Sequence, residues 1–214
     1  ILKAGGLDGK ASAELDDVQG KAFRKALGLP ELAADKAQLF DFQNGKLAAG
    51  HTLPFGPLRL MDMAGGRIER AREIVDEGFA ALPGLEKLKG RALYAVGGIW
   101  RNIARIQMSV VDYPLHVLQQ YVVPRGDALR LTQLISSQSR KSLEKIADVP
   151  KRRIEALPYG AIVLERLIKA AQIDSVVISA FGVREGVLYS ILTDGVRTRD
   201  PRLASSSISS KVMV

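Results

Sequence analysis

The 214-residue chain contains no cysteine. Disulfide frameworks, thiolate metal sites and cysteine nucleophiles are therefore excluded, and the redox state of its compartment is unreadable. Histidine is nearly absent too: His51 and His116 stand far apart, with no carboxylate or second histidine at ligand spacing. A metal site built on histidine is not expected, and both are read as structural, His51 on a strand and His116 at the start of one. No apolar run approaches the roughly eighteen residues of a membrane span. The opening residues, ILKAGGLDGK, lack the basic-then-apolar plan of a signal peptide. These absences point away from a membrane and towards the cytoplasm. Ser136, Ser137, Ser139 and the serines of the tail have no Gly-x-Ser-x-Gly context, so none is assigned a nucleophilic role.

What is present is positive charge, with a formal balance of +8. It is unevenly spread. Arg125, Arg130, Arg140, Lys141, Lys145, Lys151, Arg152 and Arg153 face only Asp127, Glu144 and Asp148 in the same stretch, whereas residues 1–56 hold equal numbers of each sign. Such a stretch is either a solvated helical face or a surface for polyanions.

Periodicity orders the rest. Residues 1–30 form an unassigned segment containing the helix-compatible DVQGKAFRKALGLP, closed by glycine and proline. From Gln38, QLFDF, an Asn44-Gly45 turn and KLAAGHTLPFG predict an antiparallel meander. A helix is expected from about Gly66 to Leu82, with Ile68, Ala71, Val75 and Phe79 on one face and Pro83-Gly84 as its stop. ALYAVGG then predicts a strand with a tight turn, and WRNIARIQMSV a helix directly behind it. HVLQQYVV is expected to be a strand, DALRLTQLISS a helix, and the basic stretch a helical insertion spanning about 119–158. A further helix follows, with Leu164, Leu167, Ile168 and Ala171 on one face. DSVVISA fits a buried parallel strand and REGVLYSIL a closing helix. This order predicts an α/β fold of the ribonuclease-H-like, actin-type class: a mixed sheet with a three-stranded antiparallel meander, flanking helices and a helical insertion. The predicted domain covers 31–204, with a disordered tail at 205–214.

Tyr94-Ala95-Val96-Gly97-Gly98 before a helix is the leading candidate site. Glycines admit a ligand to the backbone, and the first amides of a helix carry partial positive charge that suits phosphate. Arg101, in the first turn, adds a charge-assisted contact. The same pair also occurs as a plain tight turn. Arg184-Glu185, in SAFGVREG at the end of the last strand, is read as an internal pair or a helix cap.

Several blocks together resemble the exopolyphosphatase/guanosine pentaphosphate phosphatase family of the actin-like superfamily. They are HTLPFGPLRL (51–60), RALYAVGGIWRNIARIQM (91–108), DYPLHVL (112–118), RRIEALPYGAIVLERLI (152–168), VVISAFGVREGVLYSIL (176–192) and DPRLA (200–204). The resemblance covers about residues 38–204 and implies the second actin-like domain of a phosphoanhydride hydrolase. Its expected substrate is inorganic polyphosphate or guanosine pentaphosphate, and its expected cofactor is magnesium. The active site would lie in a cleft between two actin-like halves. Gly97, Gly98 and Arg101 would face that cleft, with Arg59 and the basic residues of 140–153 guiding the polyanion. Nucleic acid is a less expected partner, no membrane partner is expected, and a homodimer is left open. The rival reading is a non-catalytic polyanion-binding module, with polyphosphate or nucleic acid held by the basic stretch.

Three departures qualify the resemblance. The family's glutamate base has no match here, so no catalytic residue and no metal ligand is assigned. Its glycine-rich phosphate loop, of the form Asp-Leu-Gly-Gly-Gly-Ser, is replaced by Glu31-Leu32-Ala33-Ala34-Asp35-Lys36. Side chains there penalise positive φ and block a phosphate. Ile99 stands where a threonine or serine is expected after the glycine pair. A chain with these departures is expected to be inactive, or nearly so, by itself.

Overall fold

The computed structural model describes residues 36–44, 46–145 and 151–182. By contact the chain divides into one unit of residues 24–180 and another of 1–23 with 181–214. The fold of the first unit follows.

Strands β1 (Gln38–Gln43) and β2 (Lys46–Thr52) form an antiparallel hairpin with a register shift at Asp41/Phe42. Asn44 takes a positive φ of 51° at the turn, a conformation that asparagine tolerates better than most residues. His51 lies on β2, opposite Leu39. The expected third antiparallel strand does not follow. Pro54 and Gly56 interrupt the extended run, and Pro57 opens helix α1 (Pro57–Met63), whose first position suits proline's fixed φ and missing amide. Among the described residues the antiparallel meander is a two-stranded hairpin.

Helix α2 (Ile68–Ala80) buries Ala71, Ile74, Val75 and Phe79. Three of these belong to the stripe read from the sequence; Ile68 is half-buried. Phe55, fully buried, meets Phe79 edge-on at 5.9 Å. The ring also lies against the α2 backbone, where a Cβ on Gly78 would overlap it and sit 3.0 Å from Cζ.

Strand β3 (Ala92–Val96) leads into α3 (Gly98–Val110). Strand β4 (Tyr121–Pro124) leads directly into α4 (Arg125–Ser137), then the short α5 (Arg140–Glu144) and α6 (Lys151–Ile154). Helix α7 (Leu157–Ala170) and β5 (Ser175–Ser179) complete the described elements. The second sheet has the order β3-β5-β4. Its β3–β5 pair is parallel, as expected for DSVVISA, but β4 is antiparallel to β5. Direction reverses because the Gln120 amide donates to Ile178 O (3.0 Å) at the end of β5, so Tyr121 starts opposite Ile178 and runs back.

The strand expected over HVLQQYVV is therefore only four residues long. His116 is exposed in the preceding loop rather than at a strand start. Asp112, His116 and Gln120 all have positive φ, which a strand does not accommodate. The segment 119–158 contains β4, α4, α5 and α6, and its Ala128, Leu131, Ile135 and Leu143 are buried in the core. The closing helix expected over REGVLYSIL, the Arg184-Glu185 pair, the segments 1–30 and 31–35, and the tail all lie outside the described residues.

Helix α7 is the centre of the unit. Ten of its fourteen residues are buried, and it packs against α1, α2, α3 and α4. One of the ten is Glu165, only 2% exposed. It accepts from Arg72 of α2 at 2.6 Å and from Lys169 at 2.5 Å, and Arg72 also donates to Ser136 of α4 at 3.0 Å. Burial pushes the Glu165 carboxyl up, but the hydrogen bonds and charge of Lys169 and Arg72 outweigh it and leave the group below its ordinary value. The hairpin is tied to the second sheet by Arg91, which donates to Asp41 (2.6 Å) and to Phe42 O (2.8 Å).

Two measurements check this packing. Glu165→Gln leaves Arg72 short of its counter-charge and is expected to cost about 3 kcal/mol near neutral pH. A carboxyl with a lowered folded pKa stabilises above its unfolded value and loses that contribution as pH falls through the folded one. The gap between wild type and Glu165→Gln, measured by denaturant unfolding, should therefore close on acidification below about pH 4. Gly78→Ala would ordinarily favour a helix by about 1 kcal/mol. Here it should instead destabilise by about 1–3 kcal/mol, because the Phe55 ring has to move.

Candidate functional site

Val96 on β3 pairs with Ser179 on β5, so the carboxyl ends of the two parallel strands open onto one edge of the sheet. That edge is where open α/β sheets usually meet ligands. Gly97 turns the chain out of β3 at φ 141°, ψ 163°, in a region that penalises a side chain, and a Cβ there would lie 3.2 Å from Cδ1 of Trp100. Gly98 opens α3, whose N-cap provides no side-chain hydrogen bond. The first-turn amides thus receive neither an intrahelical partner nor a capping oxygen from Gly97, and the positive end of the helix dipole lies there.

Arg101 closes the first turn, its amide donating to Gly97 O at 3.2 Å. Its Nη1 donates to Ala180 O at 2.7 Å, across the edge from α3 to the end of β5. Ala180 is held from the other side as well, its amide donating to Gln119 Oε1 at 2.7 Å. Ala180 is thus fixed where β5 ends, on the side of α3.

Two contacts set the turn against the helices behind it. A Cβ on Gly98 would collide with the Arg153 guanidinium, with Cζ at 2.7 Å and Nη2 at 3.0 Å. A Cβ on Gly160 of α7 would lie 2.7 Å from Cγ1 of Ile99. Ile99, standing where a hydroxyl residue was expected, is seated on the α7 backbone. Its apolar branch fills a notch that glycine leaves open.

The structure brings Gly97, Gly98 and Arg101 together. Arg59 lies on the exposed side of α1, which packs on α2 and α7. Sequence reasoning treated Arg153 only as one charge in a basic stretch; its contact with Gly98 bridges 55 positions and left no local signal. Other members of that stretch are occupied within the fold. Arg125 donates to Ile168 O (2.9 Å) and Ile173 O (2.8 Å), Arg130 pairs with Asp127, and Arg140 pairs with Glu144 and Glu155.

Among the described residues no three histidine, aspartate or glutamate side chains converge as a metal site. The charged side chains at the turn are guanidinium groups, which repel a divalent cation. The described residues therefore do not fit the magnesium that the resemblance implies, and no chemistry is routed through it.

The Ppx/GppA phosphatase family model matches residues 59–194, well over half of the chain. The chain belongs to this family. The matched range contains the glycine turn, Arg101 and Arg153, together with β3, β4 and β5. The fold agrees. The Ppx/GppA family member of Aquifex aeolicus is similar with a TM-score of 0.61 at 18% identity, over 81% of this chain and 61% of that one. An exopolyphosphatase from Cytophaga hutchinsonii is similar with a TM-score of 0.63 at 19% identity, over 75% and 55%. Retrograde regulation protein 2 of Saccharomyces cerevisiae is 40% identical over 82 residues, which is 38% of this chain and 14% of that protein. The chain thus spans little more than half the length of these solved Ppx/GppA structures, and a small part of the yeast protein.

Gly97→Ala tests the turn directly. A β-carbon at φ 141° is strained and faces Trp100, so the substitution should cost about 1–3 kcal/mol in denaturant unfolding. A variant as stable as the wild type would contradict the geometry given for Gly97.

Proposed function

We propose that this Ppx/GppA chain holds the phosphates of a linear polyphosphate, or of guanosine pentaphosphate, where the carboxyl ends of β3 and β5 meet. It would act there as one half of a phosphoanhydride hydrolase, with magnesium arriving as the counter-ion of the polyanion. The observation that carries this reading is Gly97, a cap without a side chain, opening α3 beside Arg101 on that edge. Phosphoanhydride cleavage needs fixed donors around the phosphates and a group that orients the attacking water. Backbone amides and a guanidinium supply the first requirement. For the second, the described residues offer no carboxylate at the turn, so the chain by itself is proposed to bind and not to turn over.

The second reading, a polyanion-binding module without catalysis, is favoured by one comparison: the 40%-identical yeast relative is named for regulation. Binding through the basic stretch as a bare field of charge is weakened by Arg125, Arg130 and Arg140, which already have partners within the fold. In the first reading the polyanion meets the glycine turn, and in the second it is held by the basic stretch. They also differ in whether a completed site would hydrolyse it.

The purified 214-residue chain is expected to bind linear polyphosphate in preference to single-stranded DNA at equal charge. Orthophosphate release should stay at the level of a heat-treated control. Release at about 1 s−1 or faster would be an ordinary enzyme rate and would overturn the claim of inactivity. Affinity that falls steeply with salt and does not distinguish the two polyanions would reveal a bare charge binder instead.

A further inference from the structure

Among the described residues, two buried side-chain nitrogens have no acceptor: Nε of Arg166 and Nδ2 of Asn102. The Arg166 guanidinium still faces a carboxylate, with Nη1 3.5 Å from Asp76. Asn102 is different. It is an uncharged amide, 0% exposed, on a helix whose adjoining Ile103, Ala104 and Ile106 are core residues. A buried donor without an acceptor is costly to keep, so it calls for a partner that the chain itself does not supply.

The free half of the amide is the nitrogen. Oδ1 accepts from Nη1 of the exposed Arg105 at 3.2 Å, and only the oxygen can do so, because a guanidinium offers donors alone. A helical side chain leans toward the helix N-terminus and covers the turn before its own. For Asn102 that turn starts at Gly98, four residues back on the same face and without a side chain to stand in between. What lies over Gly98 is a side-chain tip, since the three atoms nearest to a Cβ there belong to the Arg153 guanidinium. A guest at the turn can displace such a tip without moving backbone.

We infer that Asn102 is a phosphate-binding residue of the β3–α3 turn, its Nδ2 donating to an oxyanion that also meets the first amides of α3. This rests on the reading that the turn receives a phosphate chain, and it adds a donor that the helix itself holds in place. An uncharged donor closed to water gains most from an acceptor that brings its own charge, and salt screens it less than a surface cation.

The test uses the full chain and inorganic tripolyphosphate, with affinity read by titration calorimetry and the Asn102 carboxamide followed by NMR in isotope-labelled protein. The carboxamide resonances should shift on saturation. Asn102→Leu should weaken binding about tenfold or more, the scale of one lost hydrogen bond to a charged group, and should keep or raise the thermal midpoint, because it removes an unsatisfied donor. Asn102→Asp keeps an oxygen for Arg105 but turns the donor into an acceptor, and should bind more weakly still. Arg105→Met removes a cation and leaves the donor; affinity should change by less than about threefold, as for a screened surface charge. Asn102→Leu binding like Arg105→Met, or resonances that stay fixed while the wild type binds, would overturn the inference and leave the site standing. Failure of the unmodified chain to bind would overturn both. Should Asn102→Leu not fold, the resonances decide: a carboxamide unmoved at saturation refutes the contact.

Discussion

A helix with neighbours on nearly every side governs the architecture of this Ppx/GppA chain. Helix α7 meets α1, α2, α3 and α4, so its surface must be apolar almost all round, and the run Leu157 to Ile168 satisfies that demand. The buried charge in that run, Glu165, is retained where two cations reach it. A buried carboxylate without partners would cost several kcal/mol; with Arg72 and Lys169 it becomes a directional contact that joins α2 to α7. Hydrophobic packing is indifferent to small rotations of a helix, whereas these hydrogen bonds are not. Arg72 extends the constraint to Ser136, so three helices share one polar junction inside an otherwise apolar layer.

The position of the site follows from the same helix. Gly160 leaves a notch in α7, Ile99 occupies it, and the start of α3 is thereby set behind the end of β3. The parallel pairing of β3 with β5 brings Ala180 to the same edge, where Arg101 and Gln119 hold it from two sides. This gives a physical reason for isoleucine at a position where the family resemblance suggested a hydroxyl. The residue is committed to packing, and under the proposed function the donors to an anion would be the backbone and arginine.

Elements set by local rules were readable from the sequence. The hairpin was visible in Asn44 and the alternation around it, α2 in its apolar stripe, and the strand-turn-helix of β3 and α3 in the glycine pair. The β5 strand was visible in three consecutive apolar residues that are all buried. What was missed depended on distant partners. Pro57 marks a first helical position, a local sign that was available, but HTLPFG still read as strand because its alternation fits either state. The strand before α4 was read too long, since positive φ at His116 and Gln120 arises from the loop's packing and leaves no signature in composition. Glu165 looked like an ordinary helical charge. Its setting within AIVLERLI, the sole acid among apolar neighbours, was the sign that it would be buried. Nothing in the basic stretch distinguished Arg153 from Lys151 or Arg152; only the fold sets its head on Gly98.

The sequence has a single tryptophan, and it is Trp100, whose indole edge lies over the α-carbon of Gly97. Intrinsic emission excited selectively in the near ultraviolet therefore comes from one place, the bend between β3 and α3. Occupancy or deformation of that bend changes the polarity and quenching around the only indole. The molecule carries its own optical reporter at the turn to which the proposed function assigns the polyanion, without any label having to be attached.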